Sequence, residues 1–403
     1  MPWQPVSTMD QKIQFVRDYN RRTFPTMTEL CTHYEIARKT GYKFVQRFEA
    51  EGRPGLAEKS RRPDGCPWAT PEDQIDDIVT LRTRHSSWGA RKLVTVLKKR
   101  HPETAWAAPS TVSLILKREG LVTSRPRRSA APTRPRVEQV VAAAPNHVWS
   151  ADFKGHFRTG DGRYCYPLTV MDRFSRYLLD CHGMLAPDED GTRRRFEHLF
   201  RLFGLPTILR TDNGAPFAST GLAGLSHLSV WWMRLGILLD RIRPAHPEEN
   251  GSHERFHRTL KRDTARPPAG SCAAQQRRFH TFRPEYNDVR PHEALGQIPP
   301  GEVYAPSARP MPAALPPIEY PGHFEVRRVG PSGNFSWSGV PVFATHVLRG
   351  QDLGFEEIDD GLWSVYFCAQ RIARFDERTK RIEGTHKRRT TPSTAASADP
   401  QGS

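Results

Sequence analysis

Residues 149–155 read Trp149-Ser150-Ala151-Asp152-Phe153-Lys154-Gly155. In an extended chain Asp152 and Lys154 fall on one face and Phe153 on the other. A turn at Gly160-Asp161-Gly162 and a hydrophobic run over 164–171 follow, which predicts a hairpin. Working outward, a third strand is expected over 176–182 and a helix over 190–203. Then comes Leu205-Pro206-Thr207-Ile208-Leu209-Arg210-Thr211-Asp212-Asn213-Gly214, an apolar strand that ends in a carboxylate and breaks at Gly214. A region around Trp231-Trp232 and a strand over 237–242 lead to His246-Pro247-Glu248-Glu249-Asn250-Gly251-Ser252-His253-Glu254-Arg255-Phe256-His257-Arg258-Thr259-Leu260-Lys261. This last block reads as a helix begun near Asn250. Phe256 and Leu260 supply its buried stripe, and Glu254, Arg258 and Lys261 share another face at i, i+4, i+7.

Taken singly, each carboxylate has an ordinary reading. Asp212-Asn213-Gly214 is more often a turn than a ligand, and Glu254 with Arg258 makes a common ion pair on a solvated helix. Asp172 reads as a strand-turn carboxylate or local arginine partner, Glu248 and Glu249 as loop charges, His246 and His253 as packing or capping groups. The combination is what points to chemistry. Asp152, Asp212 and Glu254 each stand at the end or start of a regular element, and a mixed sheet flanked by helices would gather them at one edge. Hard divalent ions take such oxygen ligands, and two ions about 3.5–4 Å apart suit phosphodiester chemistry.

The 403-residue chain carries 60 Lys+Arg against 44 Asp+Glu, a formal net charge of +16. Its length implies several domains, because one core rarely grows past about 250–300 residues. No apolar run is long enough for a membrane span, and the amino terminus lacks the apolar stretch of a secretory signal. Six cysteines lie far apart without a C-x-x-C pair, which fits reduced cytosolic thiols rather than a zinc ribbon or a disulfide scaffold. The charge is uneven: residues 1–145 hold 26 basic and 15 acidic side chains, 146–305 hold 22 and 18, and 306–403 hold 12 and 11. A basic front end before a nearly balanced middle implies that the first part holds a polyanion.

That front end has the outline of a helix-turn-helix. A helix over 11–22, a short one over 27–33, and a break at Tyr34-Glu35-Ile36 precede a basic helix with Arg38, Lys39, Lys43 and Arg47, stopped by Gly52. A looser copy follows: Arg91 and Lys92 open a helix with Leu93, Val96 and Leu97 on one face, and Ser110 is the expected cap of the next. Either segment also suits a plain three-helix bundle with a solvated basic face. Two proline-dense stretches read as linkers: 125–135, with Arg125, Arg127 and Arg128 as phosphate-attracting groups, and 299–317. Over 324–375 short runs alternate apolar and polar residues with Gly at the breaks, the pattern of a small β-barrel.

At the W-x-x-D-F, T-D-N-G and H-P-x-x-N-G-x-x-E-R-x-H-R-x-L-K blocks the sequence resembles the catalytic core shared by retroviral integrases and bacterial insertion-sequence transposases, the D-D-E superfamily. Pro216-Phe217, Leu225-Ser226 and Trp231-Trp232 before Leu235-Gly236-Ile237, with two helix-turn-helix segments upstream, resemble the insertion-sequence group numbered four-eighty-one. The likeness implies a multidomain α+β chain. Its parts would be a helix-turn-helix domain over 1–62, a second helix-turn-helix or winged-helix domain over 68–124, and a basic linker over 125–145. A ribonuclease-H-like mixed α/β core over 146–305, a small β-barrel over 318–376 and a disordered basic tail over 377–403 would follow. It further implies that Asp152, Asp212 and Glu254 hold Mg²⁺ or Mn²⁺, two ions per site, although 41 residues separate the second acid from the third, more than in many relatives. The expected activity is transposition: 3′-end cleavage, then attack of the freed 3′-OH on target DNA. Expected partners are double-stranded DNA, as element ends and target, and further copies of the chain in a dimer or higher assembly. Neither a membrane nor a small-molecule substrate is expected, and the expected place is the cytoplasm, at the nucleoid. Arg258 and Lys261 are the candidate backbone contacts near the cut. A DNA-binding regulator or inactive domesticated transposase is the rival, and a nuclease that cuts without joining is a third reading.

Overall fold

The computed structural model describes residues 7–58, 69–122, 140–153, 155–242 and 251–385. The chain divides into two compact units, 1–70 and 71–403.

The first unit is three helices around a small core. Helix α1 (Thr8–Asn20) is capped by Ser7, whose hydroxyl accepts from the Asp10 amide, and α2 (Met27–His33) by Thr26, which accepts from Glu29. The break expected at Tyr34-Glu35-Ile36 extends through Ala37, the cap position, into α3 (Arg38–Glu51), which ends at Gly52 with φ of 66°, a conformation glycine adopts freely. Phe15, Val16, Leu30, Cys31, Val45 and Leu56 form the core. Gly41 is needed for close approach: a Cβ there would lie 2.6 Å from the Cys31 sulfur and 2.9 Å from the Phe15 ring.

The second unit opens with α4 (Glu72–Arg84), α5 (Ala90–Arg100) and α6 (Pro109–Arg118), packed around Ile78, Trp88, Leu93, Leu97, Val112 and Ile115. Ser110 does not cap α6. Pro109 already occupies the first helical turn and Ala108 is the cap position, as suits a proline whose missing N–H costs nothing there. The contact of His85 Nδ1 with Glu285 at 2.9 Å and the ion pairs Arg91–Glu293 and Lys99–Glu302 tie this three-helix group to the segment 285–302 of the same unit.

The sheet that follows comprises β1 (Val148–Phe153), β2 (Phe157–Arg158), β3 (Tyr164–Asp172), β4 (Leu178–Met184), β5 (Ile208–Thr211) and β6 (Leu238–Arg241). In space the order is β4-β3-β1-β5-β6, with β2 pairing the start of β3. Strands β4, β3 and β1 are antiparallel, whereas β5 and β6 run parallel to β1. Helix α7 (Glu189–Phe203) and α8 (His227–Arg234) cover one face through Phe196, Phe200, Trp231 and Trp232 against Trp149, Leu168 and Val170. Helix α9 (Gly251–Thr264) and α10 (Cys272–Pro284) cover the other, packing Phe256, Leu260, Phe279 and Phe282 on Met171, Leu178 and Cys181. This is the ribonuclease-H-like arrangement of a mixed sheet between helix layers.

The stretch 299–317 is ordered along the core rather than slack. Tyr304 stacks on Tyr177 at 4.2 Å and donates to Asn146, which also accepts from the Trp149 indole, and the Arg309 carbonyl accepts from the Leu205 amide. Proline density here lowers the entropy lost on pinning an extended strap. Beyond it lie β7 (Glu325–Arg328), β8 (Asn334–Trp337), β9 (Val340–Phe343), β10 (Asp352–Asp359), β11 (Leu362–Phe367), β12 (Gln370–Asp376) and β13 (Arg381–Gly384). They form an antiparallel sheet ordered β13-β12-β11-β10-β7 and a separate β8-β9 ribbon around Phe335, Trp337, Phe355, Phe367 and Phe375. Among the described strands no pairing closes a ring. The tail expected to be disordered from 377 instead contributes β13, because Ile382 and its neighbours complete the edge of β12. Residues beyond 385 lie outside the described ones. The five cysteines among the described residues are free thiols, and no described helix is long and apolar enough to cross a membrane.

Candidate active site

Two of the three expected carboxylates lie at the same end of neighbouring strands. Strands β1 and β5 are parallel neighbours with Ser150 opposite Arg210. Two residues further along each strand bring Asp152, near the end of β1, level with Asp212, the first residue past β5. Period-two alternation keeps both on the face of Ser150 and Arg210, which is the face that carries α9.

Helix α9 is fixed there by two buried histidines one turn apart. Thr169, paired with Asp152 across β1 and β3, has its hydroxyl 2.8 Å from Nε2 of both His253 and His257. That hydroxyl donates to the Asp152 carbonyl at 3.0 Å, which leaves its oxygen to accept from both imidazoles. His253 Nδ1 then accepts from Ser150 Oγ at 3.1 Å. Burial pushes the His253 pKa down to about 3, with the Arg173 charge adding to the effect, so the ring is neutral at ordinary pH. His257 Nδ1 lies 3.9 Å from an Asp152 carboxylate oxygen. The clamp thus runs from β1 through Thr169 to the first turns of α9, and Glu254 follows His253 directly on the exposed side of the helix.

Asp212 is short of positive partners. Burial raises its carboxyl pKa, opposed only by the Gly214 amide donating to Oδ1 at 3.2 Å. The turn is held by Asn213, whose Nδ2 donates to the Ile242 carbonyl at 2.6 Å. Two residues earlier the neighbourhood is basic: Arg210 pairs with Asp240 through Nε at 2.7 Å, and burial beside Arg210 lowers the Arg173 pKa to about 10. A desolvated carboxylate with one weak donor has spare oxygen lone pairs that a hard cation would complete. The donor set therefore fits a divalent ion. Among the described residues, however, no three His, Cys, Asp or Glu side chains close to metal-ligand geometry, so the third acid shares the side of the sheet without completing a cage.

Asp172 plays the structural role expected of a strand-turn group. It is fully buried and accepts from the Asn146 amide at 2.8 Å and from the Ser175 amide and hydroxyl at 2.7 and 2.6 Å. Of the candidate DNA contacts, Arg38, Lys39 and Lys43 are exposed along α3, Arg47 is half-buried, and Arg258 and Lys261 are exposed on α9. Arg91 is exposed and paired with Glu293, whereas Lys92 turns inward to line a cavity. Arg125, Arg127, Arg128, Glu248, Glu249 and His246 lie outside the described residues. The histidine clamp was legible in principle, since His253, Phe256, His257 and Leu260 follow the spacing of a buried helical stripe, but isolated histidines carry no such weight when read singly.

Family comparisons agree along the length of the chain. Residues 142–247 and 235–300 match the Integrase core domain, 11–63 a Helix-turn-helix domain and 40–116 a Homeodomain-like domain. Residues 324–383 match the IS481 family transposase, C-terminal domain. The chain is 26% identical, over 62% of its length and 70% of the relative's, to the "Insertion element IS476 uncharacterized 39.2 kDa protein" of Xanthomonas euvesicatoria. It is 27% identical to the "Insertion element IS407 uncharacterized 31.7 kDa protein" of Burkholderia multivorans, over 57% of this chain and 79% of that one. Among solved structures, a simian T-cell lymphotropic virus intasome in complex with PP2A regulatory subunit B56 gamma superposes with a TM-score of 0.36 at 16% identity, over 77% of this chain and all of that one, too loosely to bear on the fold.

Proposed function

Because this chain is an insertion-sequence transposase with an integrase-type core, we propose that Asp152, Asp212 and Glu254 are its catalytic residues and the ligands of two Mg²⁺ or Mn²⁺ ions. The observation that carries this reading is that Asp152 and Asp212 lie at the same end of the parallel neighbours β1 and β5, on the face where two buried histidines pin the helix bearing Glu254. Bound divalent ions would lower the pKa of the attacking oxygen and offset charge on the leaving one. Asp152 and Asp212 would hold their oxygens fixed because β1 and β5 are buried in a sheet, while Glu254 sits on a helix turn that can close on them. Thr169, His253 and His257 are positioning residues: they set the height of α9 over β1. Exposed Arg258 and Lys261, one and two turns beyond Glu254, would hold the scissile strand by its phosphates.

Recognition of the element's ends is assigned to α3, whose Arg38, Lys39 and Lys43 face solvent as a helix entering a major groove requires. The strands of 324–383 are read as a small barrel-type module, two sheets around one aromatic core, that supports bound DNA. Two DNA ends must be processed together, so a dimer or larger assembly on DNA is expected. The nucleoid is the corresponding location.

The test is an end-cleavage assay with wild type, Asp152→Asn and Glu254→Gln, each with and without Mg²⁺. Wild type should nick the ends and, on a pre-nicked substrate, join them to target; the variants should bind ends as well as wild type and cut nothing. Full cleavage by either variant would remove the assignment. Cutting without joining would make the protein a nuclease.

A further inference from the structure

A second constellation lies apart from the three carboxylates, within the same unit. Helices α5 and α9 and the segment 286–294 enclose an open cavity of about 440 Å³. Lys92, Arg176, Arg255 and Arg290 line it, with Glu293 as the one acid on its wall. Glu293 is already paired with Arg91 at 3.6 Å. Arg290 is satisfied by Asp263 at 3.3 Å, and Asp263 is shared with Arg262 at 2.8 Å. Among the described residues, the Lys92 ammonium and the Arg176 and Arg255 guanidinium groups have no hydrogen-bond or ion-pair partner. His292 adds a buried Nε2 without a partner.

Three unpaired cations around one cavity repel one another, and burial strengthens that repulsion. The cost is visible at Lys92, whose pKa falls to about 8 through burial first and the Arg290 charge second. Such a cluster is stable as part of a working protein when an anion with several acceptor oxygens shares it. Guanidinium forks match the paired oxygens of a phosphate, and an ammonium adds a point charge. The position favours a polymer over a free ion. Arg255 is exposed at the mouth, and the walls come from both the second helical group and the core, where a continuous backbone can pass. Arg255 and Thr259 also lie on a different face of α9 from Glu254, Arg258 and Lys261, so the helix presents two separate basic surfaces.

We propose that this cavity is a phosphodiester pocket in which a backbone phosphate of bound duplex DNA is held by Lys92, Arg176 and Arg255, bridging α5 and α9. The pocket rests on the transposase reading for its ligand and is separate from the cleavage site in its residues. By seating DNA between α5 and α9, it would couple binding in the second helical group to the helix that carries Glu254.

The experiment uses the full-length protein with a random-sequence duplex and, in parallel, inorganic phosphate. Lys92 acylation at pH 8 is followed by peptide mass spectrometry, with duplex binding read by anisotropy in the same samples. Saturating duplex should protect Lys92 severalfold. Lys92→Gln and Arg255→Gln should each lower the slope of log affinity against log salt by about one, irrespective of sequence. Arg255 is exposed, so its variant keeps the fold and the test stands if the Lys92 variant does not. Unchanged Lys92 reactivity under saturating duplex, or unchanged salt slopes, would overturn the pocket. Protection by inorganic phosphate but not by duplex would also overturn it, by making this a free-anion site. Cleavage of ends without Lys92 protection would sink the pocket alone, whereas protection in a protein that never cleaves would leave the pocket standing and sink the transposition chemistry.

Discussion

At the scale of single residues the centre depends on protonation states that burial sets. His253 is held neutral with its pKa pushed down to about 3, and His292 likewise, by burial and the Lys92 charge. Both are depressed below the value of an unfolded chain, so the unfolded state binds more protons as pH falls. Their contribution to stability is complete above about pH 6.5 and is lost progressively from there toward pH 3, by up to about 1.4 kcal/mol per pH unit for each ring. Urea midpoints should therefore fall steeply through that window, and His253→Gln should flatten the slope; a midpoint insensitive to pH between 6.5 and 4 would contradict the buried neutral assignment. Asp212 has the opposite sign. Its raised carboxyl pKa means that the charge is held at a cost, which a cation would relieve. Mg²⁺ should raise the Tm of wild type, and Asp212→Asn should both abolish that rise and melt higher than wild type in EDTA, on the order of 1 kcal/mol. Thermal unfolding with and without Mg²⁺ reads both effects together.

Among the elements, α9 holds to the sheet through a narrow apolar stripe. Phe256 and Leu260 are the stripe that periodicity predicts, and both are buried. Truncating either to Ala should cost about 2–5 kcal/mol and release α9 from β1. The expected readout is loss of cleavage with end binding retained, and cleavage at the wild-type rate by Leu260→Ala would show that the helix needs no such anchor. In α3, Gly41→Ala would drive a methyl into Cys31 and Phe15, for about 1–3 kcal/mol of overpacking, lowering the Tm of the first unit and its DNA affinity together. Legibility differed between elements for physical reasons. The bounds 27–33 of α2 were read as they occur, because a threonine cap and an aromatic break flank it. Helix α4 escaped reading: its buried Ile78 and Leu81 are spread among Asp and Glu residues that look solvated. Ser110 misled because a serine beside a proline satisfies the cap rule in sequence while the proline takes the first turn in space.

Across the whole molecule, the boundary between the two units falls inside the basic front end read over 1–145, so α4–α6 belong to the second unit. Removing residues 1–70 should leave a folded second unit that binds DNA through α5 and α9 but no longer prefers element ends, a loss that competition with random duplex will measure; preserved end preference would relocate recognition to α4–α6. The strap over 299–317 shows how a proline-dense stretch, read as a linker, becomes structure once Tyr177, Asn146 and Leu205 give it partners. The sequence by itself determined the order of the main strands and helices from β1 to α9 and the basic front end, and it singled out three acids as candidates, since these follow from local periodicity, charge, spacing and the blocks that carry the resemblance. Only the tertiary structure decided that Asp152 and Asp212 lie at the same end of neighbouring strands, that two histidines and one threonine clamp α9, and that Lys92 leaves the helix surface to join Arg176 and Arg255. Those facts depend on strand register and on burial by residues far away in the chain, which no local pattern encodes.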